Sequence, residues 1–173
     1  MRAGRTFFRF RHESSGSSAI EFAMLAMPVI LLLLAITEVG LVYFANYSLE
    51  NGVTNAARLI RTGQAQEQGF NAAEFKTEVC KYISAPLECA KVNVDVRKFA
   101  NFSGAQLTQA NADGTVNTSF DPGVGGDVVV VRGFYEWSVM ATLPSGVALS
   151  NMDNGSRMLT ATAAFRNEPF TLP

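Results

Sequence analysis

Two cysteines, one histidine and two glutamates set at the edge of or within an apolar run are the residues of this 173-residue chain whose type and spacing bear on chemistry. Cys80 and Cys89 are separated by eight residues, which rules out a Cys-x-x-Cys redox motif, and without nearby histidines two thiols make a poor metal set. In an oxidising compartment such a pair closes a short disulfide loop, stabilising by somewhat under about 3 kcal/mol. His12 is the only histidine, so nothing downstream can supply imidazole for acid/base work or for activating a serine. Ser145 and its neighbours lack a base, and neither Lys81 nor Lys91 sits in a Ser-Lys motif. No P-loop, Rossmann glycine pattern, zinc spacing or calcium loop stands out, and Gly123 to Gly126 reads as an ordinary loop. These residues point away from catalysis and call for no cofactor and no metal. The net charge of -1 offers no basic surface for nucleic acid.

The glutamates belong to a membrane signal. Arg2, Arg5, Arg9 and Arg11 precede a run, Phe22 to Thr37, that carries no charge and is extended past Glu38 by VGLVYFA. A helix from Phe22 to Phe44 would be ~35 Å long, enough to cross a hydrocarbon core of ~30 Å. The arginines lie on the N-terminal flank, so the positive-inside rule keeps the N-terminus in the cytoplasm and sends the rest of the chain across. Glu21, at the head of the span, would cost roughly 2.5 to 3.5 kcal/mol in lipid and calls for a partner. Glu38 follows it by seventeen residues, which places the two about 100° apart on a helix and not on one acidic stripe. Glu38 reads either as interfacial or as a buried contact to another membrane subunit. Pro28 removes a helix donor and clashes one turn back near Met24, which predicts a kink, although a membrane helix can also absorb a proline locally.

Three readings fit this N-terminus. A cleaved secretory signal needs an A-x-A-like site after the apolar core, and none is convincing here. An uncleaved signal anchor satisfies the topology. A type IV prepilin-like signal places the cut before the helix, and Gly16-Ser17-Ser18-Ala19-Ile20-Glu21 has its form: a basic leader ending in glycine, with glutamate fifth after it. Cutting after Gly16 would create an α-amino group at Ser17, about one helical turn from Glu21, so the cut itself supplies the carboxylate with its charge partner.

From Gly16 to about Gln66 the sequence GSSAIEFAMLAMPVILLLLAITEVGLVYFANYSLENGVTNAARLIRTGQAQ resembles the N-terminal half of TadE-like proteins, and ATAAFRNEPF, from Ala161 to Phe170, is similar to that family's C-terminal ending. The resemblance implies a pseudopilin of the TadE/TadF group, processed by a prepilin peptidase at Gly16 and Ser17. Glu21 would then be the N-terminal charge partner used in assembly, and the chain would act in building thin adhesive Tad/Flp-type pili. It implies as partners the peptidase, other Tad pilins and pseudopilins, and the inner-membrane assembly platform. The major pilin of such systems is much shorter and has Glu followed by Tyr; Glu21-Phe22 and the large domain here depart from it. The alternative is an unprocessed, signal-anchored periplasmic scaffold or binding domain.

The elements around these residues define an α+β chain with a basic cytoplasmic leader at 1–16, a transmembrane helix at 17–45, a helical stalk extension at 46–66 and a periplasmic domain at 67–173. Leu49, Val53, Ala56, Ala57 and Ile60 continue the helical spacing to about Thr62, and Gly63 reads as its terminator behind Arg58 and Arg61. Asn71 and Glu74 form a capping signature for a second helix, expected to reach Ser84 before Pro86. Strict alternation from Lys91 to Phe99 predicts a half-buried strand with Val92, Val94 and Val96 inward and Lys91, Asn93, Asp95 and Arg97 outward. Asp127 to Leu143 predicts a second strand with Gly133 as a bulge, and Ser156 to Arg166 a third. The result is a small antiparallel sheet with helices on one face. Phe134, Tyr135 and Trp137 read more naturally as core than as a binding patch.

Overall fold

A computed structural model of the chain describes residues 15–104, 110–111, 113–139 and 149–171. Helix α1 spans Ser15–Arg61 and is followed by the single turn α2, Gln64–Glu67, and by α3, Ala72–Cys80. Strands β1 (Val92–Phe99), β2 (Val128–Trp137) and β3 (Arg157–Arg166) form one antiparallel sheet in the order β1-β2-β3. By contact the chain divides after Glu38 into a unit that holds the start of α1 and a unit that runs from Val39 onward.

Within the second unit, α1 buries Val42, Ala45, Leu49, Val53, Ala56, Ala57 and Ile60 in one cluster with Val92, Val96, Val131, Tyr135, Leu159 and Ala161 of the sheet. The three- and four-residue steps line one helix face, and the strand residues share one sheet face because side chains alternate. The sheet thus packs on the helix as its spacing predicts. Gly133 makes that contact close. A Cβ there would stand 2.5 Å from Val53 Cγ2 and 3.3 Å from Leu49 Cδ1. Register runs unbroken through Val94, Gly133 and Ala161, so the expected bulge is absent; the glycine serves helix–sheet approach instead.

Helix α3 starts as its signature dictates. The Asn71 side chain accepts from the backbone of Ala73 and Glu74, and Glu74 Oε2 accepts from Asn71 N at 2.9 Å. It ends at Cys80 and not at Ser84 because its last turn tightens. Tyr82 N bonds Val79 O and Ile83 N bonds Cys80 O, and Ser84 N is captured by Ser48 Oγ on α1 at 3.0 Å. Such i→i+3 bonds close a helix end while satisfying its carbonyls. Cys80 and Cys89 are joined in a disulfide that ties the end of α3 to the turn before β1.

The second sheet face differs from expectation. Asp95, placed outward by its alternation, is fully buried, as are Val128, Val130 and Phe134 on the same face, and Arg132 is 4 % exposed. The central strand is therefore covered on both sides, as a continuous apolar run such as Val128–Val131 permits. Strand β2 stops at Trp137, short of Leu143; residues 140–148 lie outside the described ones. Phe134 and Tyr135 are core residues at 1 % and 4 % exposure, and Trp137 packs against the same cluster.

Candidate functional site

Gly16 and Ser17, the residues of the prepilin-like cut, lie in the first turn of α1, and the arginine-rich leader precedes the described residues. From there the helix is apolar on every side. Phe22, Met24, Leu25, Met27, Val29, Ile30, Leu32, Leu33 and Ile36 are all more than half exposed, and consecutive steps of about 100° spread these positions around the whole axis. An exposed helix of this composition, with mean hydropathy 2.5 in its most apolar window, is a candidate membrane span by length and composition. Glu21 stands exposed at its head.

Pro28 sits inside this helix, which continues through it without a break. Further on, Thr37 Oγ1 donates to Leu33 O at 2.8 Å, satisfying its hydroxyl along the helix. Glu38 is 1 % exposed within the single chain. The carboxylate that the sequence left between an interfacial position and a subunit contact is thus already shielded from solvent in one copy.

At the far end, α1 stops where Gly63 takes a left-handed conformation, φ 85°. The ending Arg166 to Phe170 closes over this point. Glu168 N donates to Arg61 O at 2.9 Å, and the Arg61 guanidinium lies 3.4 Å from the Glu168 carboxylate. A Cβ on Gly63 would meet the Phe170 ring at 2.7 Å. Asn167 Nδ2 and Gln66 Nε2 both donate to Pro122 O, at 3.0 and 2.9 Å, which fastens the ending to the loop before β2. The two stretches singled out by resemblance, AARLIRTGQAQ and RNEPF, are therefore one packed structure.

The alternation rule missed the polar centre of the sheet. Asp95 accepts from Arg132 Nη2 at 2.6 Å, from Arg97 Nε at 3.0 Å and from Ser119 N at 2.8 Å, and the Arg132 guanidinium lies 5.3 Å from the centre of the Phe134 ring. Ser119 is thereby drawn alongside β1, where Val96 bridges Phe120 in parallel and Phe120 meets Phe75 of α3 at 5.6 Å. An arginine set in an otherwise apolar strand was the available signal, because a buried cation demands an acid nearby. The arrangement offers no exposed reactive group: it is a satisfied, structural pair. Among the described residues no group of three or more His, Cys, Asp or Glu is placed to hold a metal.

Near the start of β3, Ser156 Oγ and Asn154 Nδ2 donate to Glu136 Oε1 at 2.8 and 2.7 Å. These bonds, Ser156 first, hold the Glu136 carboxyl below its ordinary range.

Among the described residues, one helix is a candidate membrane anchor, consistent with a single-pass membrane protein, and it continues as the core helix of an α+β domain. Residues 16–58 match the family described as TadE-like protein. The match begins at Gly16 and ends within the buried half of α1, so the RNEPF ending lies beyond it. Comparison with curated proteins and with solved structures finds no match.

Proposed function

We propose that the chain is a TadE-like pseudopilin that acts structurally in assembly of Tad/Flp-type adhesive pili. It is made with its leader in the cytoplasm, cut after Gly16 by a prepilin peptidase, and held in the inner membrane by the first part of α1 with the α+β domain on the periplasmic side. The observation that carries this reading is that the family match opens at Gly16 and takes in the first part of α1, where Phe22, Met24, Leu25, Met27, Val29, Ile30, Leu32, Leu33 and Ile36 are exposed. A new amine at Ser17 would lie about one turn from Glu21 and would offset the cost of that carboxylate in lipid. Because Glu38 is already covered in one copy, we place the contacts to other pilins and to the assembly platform on the exposed residues Phe22 to Ile36.

Mass spectrometry of the protein from cells with a Tad-type peptidase tests the cut. Wild type should begin at Ser17, and Gly16→Leu should retain the leader. An intact leader on the wild-type protein would instead favour an unprocessed, signal-anchored periplasmic scaffold. Deletion of the chain should abolish or sharply reduce pili seen by electron microscopy; normal filaments and normal adhesion would remove the assembly role.

A further inference from the structure

Directly after the exposed apolar stretch, Val39, Val42, Tyr43 and Asn46 of α1 line a groove of about 390 Å³ with Leu149 and Arg157 to Thr160 of β3. Arg157 is the charged residue among the described residues of that lining. Its Nη1 donates to Leu149 O at 2.7 Å, which uses one of the five N–H groups of the guanidinium fork. On the helix side the lining is apolar at Val39 and Val42 and polar at Asn46, while Tyr43 is 73 % exposed and Tyr47, one turn on, 68 %. Aromatic residues with a polar tip concentrate where a membrane helix leaves the hydrocarbon. A span counted from Phe22 uses up ~30 Å by about Gly40 to Leu41, so Val39 to Asn46 fall at the outer boundary.

From this we infer that the groove binds an anionic phospholipid of the outer leaflet, its phosphate on Arg157 and Asn46 and the upper part of its acyl chains against Val39 and Val42. The inference rests on the membrane-anchored reading. Three features select a lipid over a soluble anion: Val39 and Val42 give the groove an apolar part beside its polar one, the charge among its described lining residues is a planar donor fork suited to phosphate, and its helix residues follow the exposed apolar stretch in sequence. The site would fix the depth at which the domain sits, because a bound headgroup ties β3 to the bilayer surface.

The test is native mass spectrometry of the full chain released from nanodiscs of phosphatidylcholine and phosphatidylglycerol in equal amounts, with alkaline carbonate extraction of membranes as a separate measure of anchoring. The wild-type chain should retain phosphatidylglycerol preferentially. Arg157→Ala should lower that retention roughly fivefold, the order expected for one cationic contact near a membrane surface, and Arg157→Lys should keep most of it. Asn46→Asp, at a partly exposed helix position, should lower retention by adding negative charge without disturbing the core. Arg166→Ala, at the other end of β3, should change nothing. A carbonate-resistant chain that shows no lipid preference, or that loses none in either groove variant, overturns the lipid site alone. A dimer in place of a lipid adduct overturns it in favour of a second copy. A chain extracted by carbonate overturns the anchored reading and the site with it.

Discussion

Glu168 is bound to Arg61 twice, once through its backbone N–H on the Arg61 carbonyl at 2.9 Å and once through a carboxylate 3.4 Å from the guanidinium. The two contacts differ in worth. Both side chains are about half exposed, at 56 % and 52 %, and ion pairs in water of this kind contribute roughly 0 to 1 kcal/mol. The backbone bond caps a carbonyl at the end of α1, where a lost partner costs about 1 to 3 kcal/mol. Denaturant unfolding of the full chain in detergent should therefore find Glu168→Ala within about 1 kcal/mol of wild type and Glu168→Pro, which deletes the donor, lower by about 1 to 3 kcal/mol. Equal effects would mean that the ion pair carries the contact.

Gly133 should tolerate nothing larger. Gly133→Ala sets a methyl against Val53 Cγ2 at 2.5 Å, and overpacking of this kind costs about 1 to 3 kcal/mol. Val53→Ala removes the obstructing atom, so the double variant should recover part of the loss relative to the sum of the singles. Strict additivity in a double-mutant cycle would contradict direct contact.

Asp95→Asn should be among the most damaging single changes in the sheet. It keeps the shape but removes the Asp95 carboxylate that the Arg132 guanidinium, 4 % exposed, bonds at 2.6 Å, and breaking a buried pair costs about 3 to 5 kcal/mol. Replacing Asp95 and Arg132 together by apolar residues should cost much less than Asp95→Asn alone. Protease resistance of the region around Ser119 should fall with Asp95→Asn, since Ser119 N also rests on that carboxylate.

The turn before β3 should loosen in acid. Ser156 and Asn154 hold the Glu136 carboxyl below the ordinary 4.5, so its contribution is present above that value and is lost as pH falls through the lower folded one. Amide resonances of Asn154 and Ser156 should titrate with a midpoint below 4.5, and Glu136→Gln should remove the titration. A midpoint at or above that value would refute the bonding.

Much of this was legible in the chain because local physics sufficed. The capping box at Asn71 and Glu74, the terminating Gly63, the three-strand antiparallel domain and the apolar span each follow from short-range chemistry, and the structure bears them out. The Cys80–Cys89 bridge joins the helix end to the strand start, as their spacing suggested.

What the sequence by itself determined is the kind of element at each place, because periodicity and caps act within a few residues. Only tertiary structure decided which residues are paired across distance. Asp95 looks solvent-facing by alternation, yet it is buried because Arg132, 37 positions away, stands opposite it in register. Glu38 reads from the sequence as either interfacial or a subunit contact, and its burial within one copy of the chain is visible only in the fold. RNEPF could be noticed as a pattern, but its purpose as the closure of the α1 terminus exists only once Phe170 lies on Gly63. Burial and charge pairing are properties of neighbours brought together by the whole fold, and no window along the chain contains them.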